Sequence, residues 1–307
     1  MEKFEHFIPK EIIKRSQPLK DYTTFGIGGN CLSLLLPRNK KELVKCIDAC
    51  KKLNKKFQVL GNGSNILASS KNCKRVFIVT TKMENGFLMQ KNSVVANAGA
   101  MLGDFIMWCK EQGLSGPESL YGIPATIGGA VMMNAGAFGS QVFDFLEEVE
   151  VYNNGKIETL KKNQIEHLHH YTSLLQSGKV ILSARFNFER LAPSVIFSKI
   201  KEVITKRQQT QPHGKSAGCV FRANNCEPAG KIIDELGLKG LRVGGAVVSE
   251  KHANFIINDN YATDQDVKDL IKKIQSKVYA LRGIKLEREI EYIGDRDDYY
   301  RWLPYTF

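Results

Sequence analysis

Between residues 122 and 139 the chain reads GIPATIGGAVMMNAGAFG, a run of small residues longer than any turn requires. Gly122, Gly128, Gly129, Gly136 and Gly139, with Ile123, Thr126, Asn134 and Ala135 among them, describe main chain that something approaches closely. Two shorter segments, TTFGIGGN at 23–30 and GNGSNIL at 61–67, precede it. Gly61 and Gly63 follow an expected strand in KFQVL. Amides from Asn62 through Asn65 can therefore converge on a phosphate, with the Ser64 hydroxyl and both Asn side chains as further donors. Alone, GNGSN reads as a tight turn; the long third segment tips it toward a ligand loop. None of the three is G-x-G-x-x-G inside a βαβ unit, which excludes a Rossmann fold.

Apolar spacing supplies the rest of the frame. Leu43, Val44, Ile47, Cys50 and Leu53 fall on one helical face over 41–53. Strands are expected at 75–80, 93–98, 148–152, 156–160 and 180–188, with NNG at 153–155 as a hairpin turn and a helix near 101–112. After ERLAPS at 189–194 a helix over 195–209 is expected to open a second region. Helices at 228–236 and 264–281 and strands at 254–257 and 286–293 follow. Mixed elements without strict alternation predict an α+β protein. The expected domains are 1–190, 191–294 and an aromatic tail, 295–307, which packs on the body or serves as a contact patch.

A formal net charge of +12 suggests anionic partners, but no zinc-finger, RNP or basic-zipper pattern is present. Phosphorylated small molecules fit the charge; nucleic acid is not expected. The N-terminal stretch lacks the apolar core of a signal peptide, and CLSLLLP at 31–37 is too short to span a bilayer. A cytoplasmic protein without membrane contact is expected, with a monomer as the working assumption. Seven cysteines without a C-x-x-C suggest neither a disulfide framework nor a metal site. Cys219, in KSAGCVFRAN at 215–224, is then either a core residue opening a buried strand or an acid in the chemistry.

In order along the chain, TTFGIGG, GNGSNIL, GIPATIGGAVMMNAGAFG, SAGCVFR, AGKIIDELGLKGLRVGGAVVSEKHANFIIN and LEREI resemble the UDP-N-acetylenolpyruvoylglucosamine reductase (MurB) family. The likeness runs from about 20 to 294 and is to the short form, without a long insertion after SAGCVFR. It implies a vanillyl-alcohol-oxidase-type FAD domain and a smaller α+β substrate domain. It also implies NADPH as hydride donor and UDP-N-acetylglucosamine enolpyruvate as substrate, reduced to UDP-N-acetylmuramate for peptidoglycan synthesis. Gly61 to Ile66, the 122–136 residues named above and Val180 would hold FAD. In that family a flavin gives hydride to C3 and a serine hydroxyl protonates C2. The resemblance puts Cys219 at the serine, and a thiol, with a pKa near 8.5, is the stronger acid. Glu289 falls at the family's carboxylate, and Arg207, Asn224 and His252 at substrate-facing positions.

Three departures stand out. The family arginine beside the enolate is replaced by Tyr171, with His170 before it. Ala223 takes an asparagine's place ahead of Asn224, and GIPG is GIPA, which Ala125 tolerates only with negative φ. All lie toward the substrate end, so two other readings stay open. One is a flavoprotein with a diverged substrate or weakened activity; the other is a non-catalytic nucleotide-binding or interaction protein.

Overall fold

The computed structural model describes residues 4–90, 93–222 and 227–294. Two compact units form. The first gathers Met1–Lys14, Leu34–Asn62 and Val76–Arg207; the second gathers Arg15–Ser33, Gly63–Arg75 and Gln208–Phe307. The chain therefore leaves the first unit twice before residue 76. The segment 23–30 belongs to the second unit, 122–139 to the first, and GNGSN is divided after Asn62.

The first unit is built on a five-stranded antiparallel sheet. Its order is Lys156–Lys161, Leu146–Asn153, Val180–Asn187, Ser93–Asn97 and Leu88–Gln90. Alternating residues of the inner strands, among them Val149, Val151, Leu182 and Ala184, are buried, while the edge strand KIETLK carries lysines and a glutamate that discourage further pairing. Asn154 and Gly155 have φ of 47° and 88°, the positive pair that a two-residue hairpin between twisted strands needs. A second sheet, of order Ile13–Arg15, Ser33–Leu35, Val76–Val79 and Phe57–Leu60, contains a parallel pair, 57–60 with 76–79. The Lys40–Lys52 helix buries Leu43, Cys46, Ile47 and Cys50, and Asn39 caps it by accepting from the Glu42 amide at 3.0 Å.

The helix expected to open the second region runs from Pro193 to Thr210 and packs Ile196 and Ile200 into the first unit's core. Those two residues, four apart, lie on one helical face, and they carry the first unit's boundary to Arg207 rather than 190.

In the second unit the helices Ala229–Glu235 and Asp264–Arg282 share a core with the antiparallel strands Arg242–Val243, Ala246–Val248 and Ile256–Asn258. The longer helix starts with a Thr263–Asp266 capping box and stops at Gly283, whose φ is 65°. The final strand is shorter than expected because residues 286–293 change partners. Arg288 bridges to Phe221, and only Glu291–Ile293 forms a ladder, parallel to Ile66–Ala68.

Candidate active site

In the first unit the glycine run is folded back on its own neighbours. Ile127 and Gly128 donate their amides to the carbonyls of Ala100 and Ala98, each at 2.8 Å. Thr126 caps the Ile127–Met132 helix, its hydroxyl accepting from Gly129 at 3.3 Å. A Cβ at Gly61 would stand 2.3 Å from that same hydroxyl, and the Asn62 side chain donates to Pro124 O at 2.8 Å. So Gly61, Asn62, Thr126, Gly128 and Gly129 come together. Ile123, whose amide donates to Leu120 O at 3.1 Å, packs on the core beside them. Ala125 is not among the residues of positive φ, so GIPA carries no strain there. Val180 opens its strand opposite Tyr152.

Asn134 is bonded within its own loop and to the 167–172 hairpin. It is fully buried with φ of 43°, and its amide donates to Gln141 Oε1 at 3.0 Å and Leu168 O at 2.9 Å while its oxygen accepts from Phe143 N at 3.1 Å. These three bonds tie the side chain into the loop that carries Ala135 and Gly136. Its contact with Leu168 also seats the 167–172 hairpin. There Thr172 donates to Met132 O at 2.6 Å, and a Cβ at Gly136 would lie 3.3 Å from the His169 ring. Tyr171 is half-buried opposite Leu168, and the rings of His169 and His170 meet edge-on at 4.0 Å. Arg207 lies along Gly122, where a Cβ would come within 2.8 Å of its Cδ, and its guanidinium is 5.2 Å from the Phe138 ring centroid.

The second unit ties the other glycine segments to the strands near Cys219. Thr24 donates its hydroxyl to Ser216 O at 2.7 Å and its amide to Gly63 O at 3.3 Å. Gly63 has φ of 60°, and a Cβ there would sit 2.3 Å from Tyr22 O, so the tight approach leaves room for glycine alone. Asn65 donates its side-chain amide to Glu289 O at 3.1 Å, and its carbonyl accepts from Glu291 N at 2.9 Å, next to the Ile66–Glu291 pair.

Cys219 is half-buried at the head of a segment bridged on both edges. It pairs with Phe255 on one side, and Phe221 pairs with Arg288 on the other. Glu289 N donates to Val220 O at 2.8 Å, which brings the expected acid and the expected carboxylate onto neighbouring strands. His252 packs its ring 4.9 Å from that of Phe255, the bridge partner of Cys219. Its Nδ1 accepts from Asn254 N at 3.3 Å, leaving the proton on Nε2, and burial holds it below the usual imidazole range. Asn224 lies outside the described residues, as does the 295–307 tail.

Two residues went unassigned in the sequence. Asn254, inside KHANF, is 7% exposed and bonded to the Cys219 segment. Glu291 has its carboxyl pushed up by burial, against the opposing pull of Arg222 and Arg288. The motif containing Asn254 was visible, but a short amide in the turn before the Ile256–Asn258 strand carries no signal of its own. Glu291 looks like an ordinary solvated strand charge until its neighbours are known.

The donor inventory suits an anionic cofactor. Among the described residues the amides of Asn62, Gly63 and Ser64 find no protein acceptor, and the buried hydroxyls of Ser119 and Ser140 have no protein partner. Unspent main-chain amides beside glycine suit an anionic group such as a diphosphate.

Known proteins match both parts of the chain. Residues 32–161 match a family described as FAD binding domain, and 208–293 match one described as UDP-N-acetylenolpyruvoylglucosamine reductase, C-terminal domain. The UDP-N-acetylenolpyruvoylglucosamine reductase of Caldicellulosiruptor saccharolyticus is 38% identical over 299 residues, covering 95% of this chain and 96% of that one. That of Clostridium kluyveri is 36% identical over 304 residues, with 96% and 100% covered. The crystal structure of the Thermus caldophilus enzyme superposes with a TM-score of 0.78 at 34% identity, over 91% of this chain and 98% of that one. At 36–38% identity to such relatives over nearly its whole length, the chain belongs to the UDP-N-acetylenolpyruvoylglucosamine reductase family.

Proposed function

We propose that this chain is an FAD-dependent oxidoreductase that uses NADPH to reduce UDP-N-acetylglucosamine enolpyruvate to UDP-N-acetylmuramate, with Cys219 as the proton donor. Bound FAD supplies the hydride transfer, from NADPH to C3 of the enolpyruvyl group. The protein's task is then to complete the reduction by delivering one proton to C2. A thiol suits that task, since its proton leaves more readily than a hydroxyl's and the thiolate regains one from solvent. Glu289, on the strand that meets Val220, is assigned to the same carbon–carboxylate end. His252, neutral and with Nε2–H as donor, is assigned to the sugar nucleotide together with Arg207 and Asn224.

The observation that supports this reading is the 2.8 Å bond from Glu289 N to Val220 O, which joins the strand of Glu289 to the segment that opens at Cys219. FAD is assigned to Gly61–Ile66, Gly122, Ile123, Thr126, Gly128, Gly129, Ala135, Gly136 and Val180, with Asn134 acting only through the loop it holds. The proposal includes a cytoplasmic setting and a role in peptidoglycan precursor synthesis, and with it in cell shape and division.

The test is NADPH oxidation by FAD-reconstituted protein, with and without the enolpyruvyl sugar nucleotide, in wild type, Cys219→Ser and Cys219→Ala. Wild type and the serine variant turn over; the alanine variant still reduces its flavin but turns over at least about 10²-fold more slowly. An alanine variant at wild-type speed removes Cys219 from the reaction. Wild-type flavin that NADPH reduces but the sugar nucleotide never reoxidises overturns the substrate assignment.

A further inference from the structure

A buried carboxamide completes a strand edge beside Cys219. Phe221 is the narrow-pair partner of Arg288, so the bonds on that side run from Glu289 N to Val220 O at 2.8 Å and from Arg222 N to Glu287 O at 2.9 Å. The N–H and C=O of Phe221 itself therefore point to the opposite edge. Val220 N also donates to that edge, to Asn254 O at 2.8 Å, although its carbonyl faces Glu289. The next partner is not a peptide group. Phe221 N donates to Asn254 Oδ1 at 3.0 Å, and Asn254 Nδ2 donates to Phe221 O at 2.8 Å. The side chain of Asn254 thus stands in for a peptide, with donor and acceptor in the same plane. Both residues are inside the second unit's core, Phe221 at 1% exposure and Asn254 at 7%, where water cannot substitute. The main-chain amide of Asn254 also fixes the His252 ring through Nδ1 at 3.3 Å.

From this geometry we infer that Asn254 is the positioning residue for Cys219, holding the two peptides that flank Phe221, two residues beyond the thiol, so that the thiol meets C2 of the substrate in register. The inference rests on the assignment of Cys219 as proton donor. Its chemical content is specific: the position needs one donor and one acceptor on a short side chain. Ionised Asp supplies only acceptors and repels Phe221 O; protonated Asp supplies both.

The experiment compares FAD-loaded wild type, Asn254→Ala, Asn254→Asp, Cys219→Ala and Cys219→Ser in the two half-reactions by stopped flow. Alkylation of Cys219 by iodoacetamide, mapped by mass spectrometry, serves as a readout independent of turnover. Asn254→Ala keeps flavin reduction by NADPH within about twofold of wild type. Its reoxidation by the enolpyruvyl sugar nucleotide slows about 10²-fold, the scale of a small misplacement of a reacting group, and its Cys219 alkylation rate changes severalfold. Asn254→Asp is slow at pH 8 and recovers at least tenfold, relative to wild type at each pH, by pH 6, as a buried carboxyl beside a carbonyl regains its proton. If Asn254→Ala does not fold, the acid recovery of Asn254→Asp decides alone, and its absence overturns the inference. Equal slowing of both half-reactions, or unchanged reoxidation and alkylation, also overturns it. The underlying assignment fails separately, through a Cys219→Ala variant whose flavin reoxidises at the wild-type rate whatever Asn254 does.

Discussion

Asn65 and Glu289, 224 positions apart, are joined by a 3.1 Å hydrogen bond from the Asn65 side chain to the Glu289 carbonyl. The last residue of the GNGSN loop therefore anchors the strand that carries the expected active-site carboxylate. The loop proposed to hold the cofactor and the strand proposed to serve the substrate are joined by this one amide.

Removing that amide deletes the bond to the Glu289 carbonyl and leaves the Glu291 N to Asn65 O bond in place. Asn65→Ala is expected to weaken FAD binding about fivefold, the equivalent of a net hydrogen bond worth about 1 kcal/mol. Asn65→Asp, which turns a carboxylate toward a carbonyl, weakens it further. Fluorescence quenching on reconstitution of apoprotein measures both.

Asn134 predicts the opposite pattern. Its three bonds to Gln141, Leu168 and Phe143 are internal, and Asn tolerates the positive φ of 43° better than alanine does. Asn134→Ala strands buried groups costing about 1–3 kcal/mol each. Urea denaturation should show a loss of about 3 kcal/mol or more, while the FAD affinity of the protein that remains folded changes less than threefold. A large affinity loss without a stability loss would return Asn134 to the cofactor.

These two asparagines mark what could be read from the chain. Periodicity revealed the Lys40–Lys52 and Asp264–Arg282 helices, and NNG revealed the hairpin, because those signals lie within a few residues. Motif order revealed the family. What stayed hidden depends on pairing across long separations. Cys219 with Phe255 and Phe221 with Arg288 are single bridges, too short to leave an alternating pattern. The division of the first 75 residues between two units was equally silent, since each crossing needs only a few residues of ordinary loop. Asn65 and Asn134 were both read as cofactor ligands. Nothing in composition separates an amide spent on its own loop from one that ties a loop to a distant strand.

A buried ion pair in the second unit makes a prediction about acid stability. Asp264 accepts from Lys268 Nζ at 2.7 Å, from Tyr292 at 3.1 Å and from Ser70 N at 2.9 Å, with both charged side chains nearly buried. Burial opposes ionisation of Asp264, but the Lys268 and Ser70 bonds outweigh it and hold the carboxyl below its usual range. Burial likewise opposes the Lys268 charge and is outweighed by Asp264 and Tyr292, which leaves the amine above its usual range. Stability from the aspartate is present above its unfolded value and lost as pH falls through the folded one; stability from the lysine is lost only as pH rises past its own. Between those limits the pair contributes steadily. Lys268→Met, which leaves a buried carboxylate unpaired, should cost about 3–5 kcal/mol at pH 7. Lys268→Met with Asp264→Asn should cost less. The acid limb below about pH 4 should flatten in Asp264→Asn.

Tyr171 supplies the last test, because its backbone and its side chain do separate jobs. The hairpin is seated by Thr172 on Met132 O at 2.6 Å, by Asn134 on Leu168 O at 2.9 Å and by main-chain pairing of Leu168 with Tyr171. None of these contacts uses the phenol, so a different side chain can occupy the half-buried position without unseating the strand. A phenol can donate one hydrogen bond to a developing enolate, whereas the family's arginine adds a full charge and a second donor. Tyr171→Arg should therefore accelerate reoxidation of reduced flavin by the enolpyruvyl sugar nucleotide. The gain should be at least tenfold, toward the roughly 10²–10³ that one oxyanion donor supplies. Reduction by NADPH should stay unchanged, and Tyr171→Phe should slow reoxidation only severalfold. Stopped-flow traces at the flavin band resolve the two half-reactions. A Tyr171→Arg variant no faster than wild type would mean that the charge is already delivered by another cation of this chain.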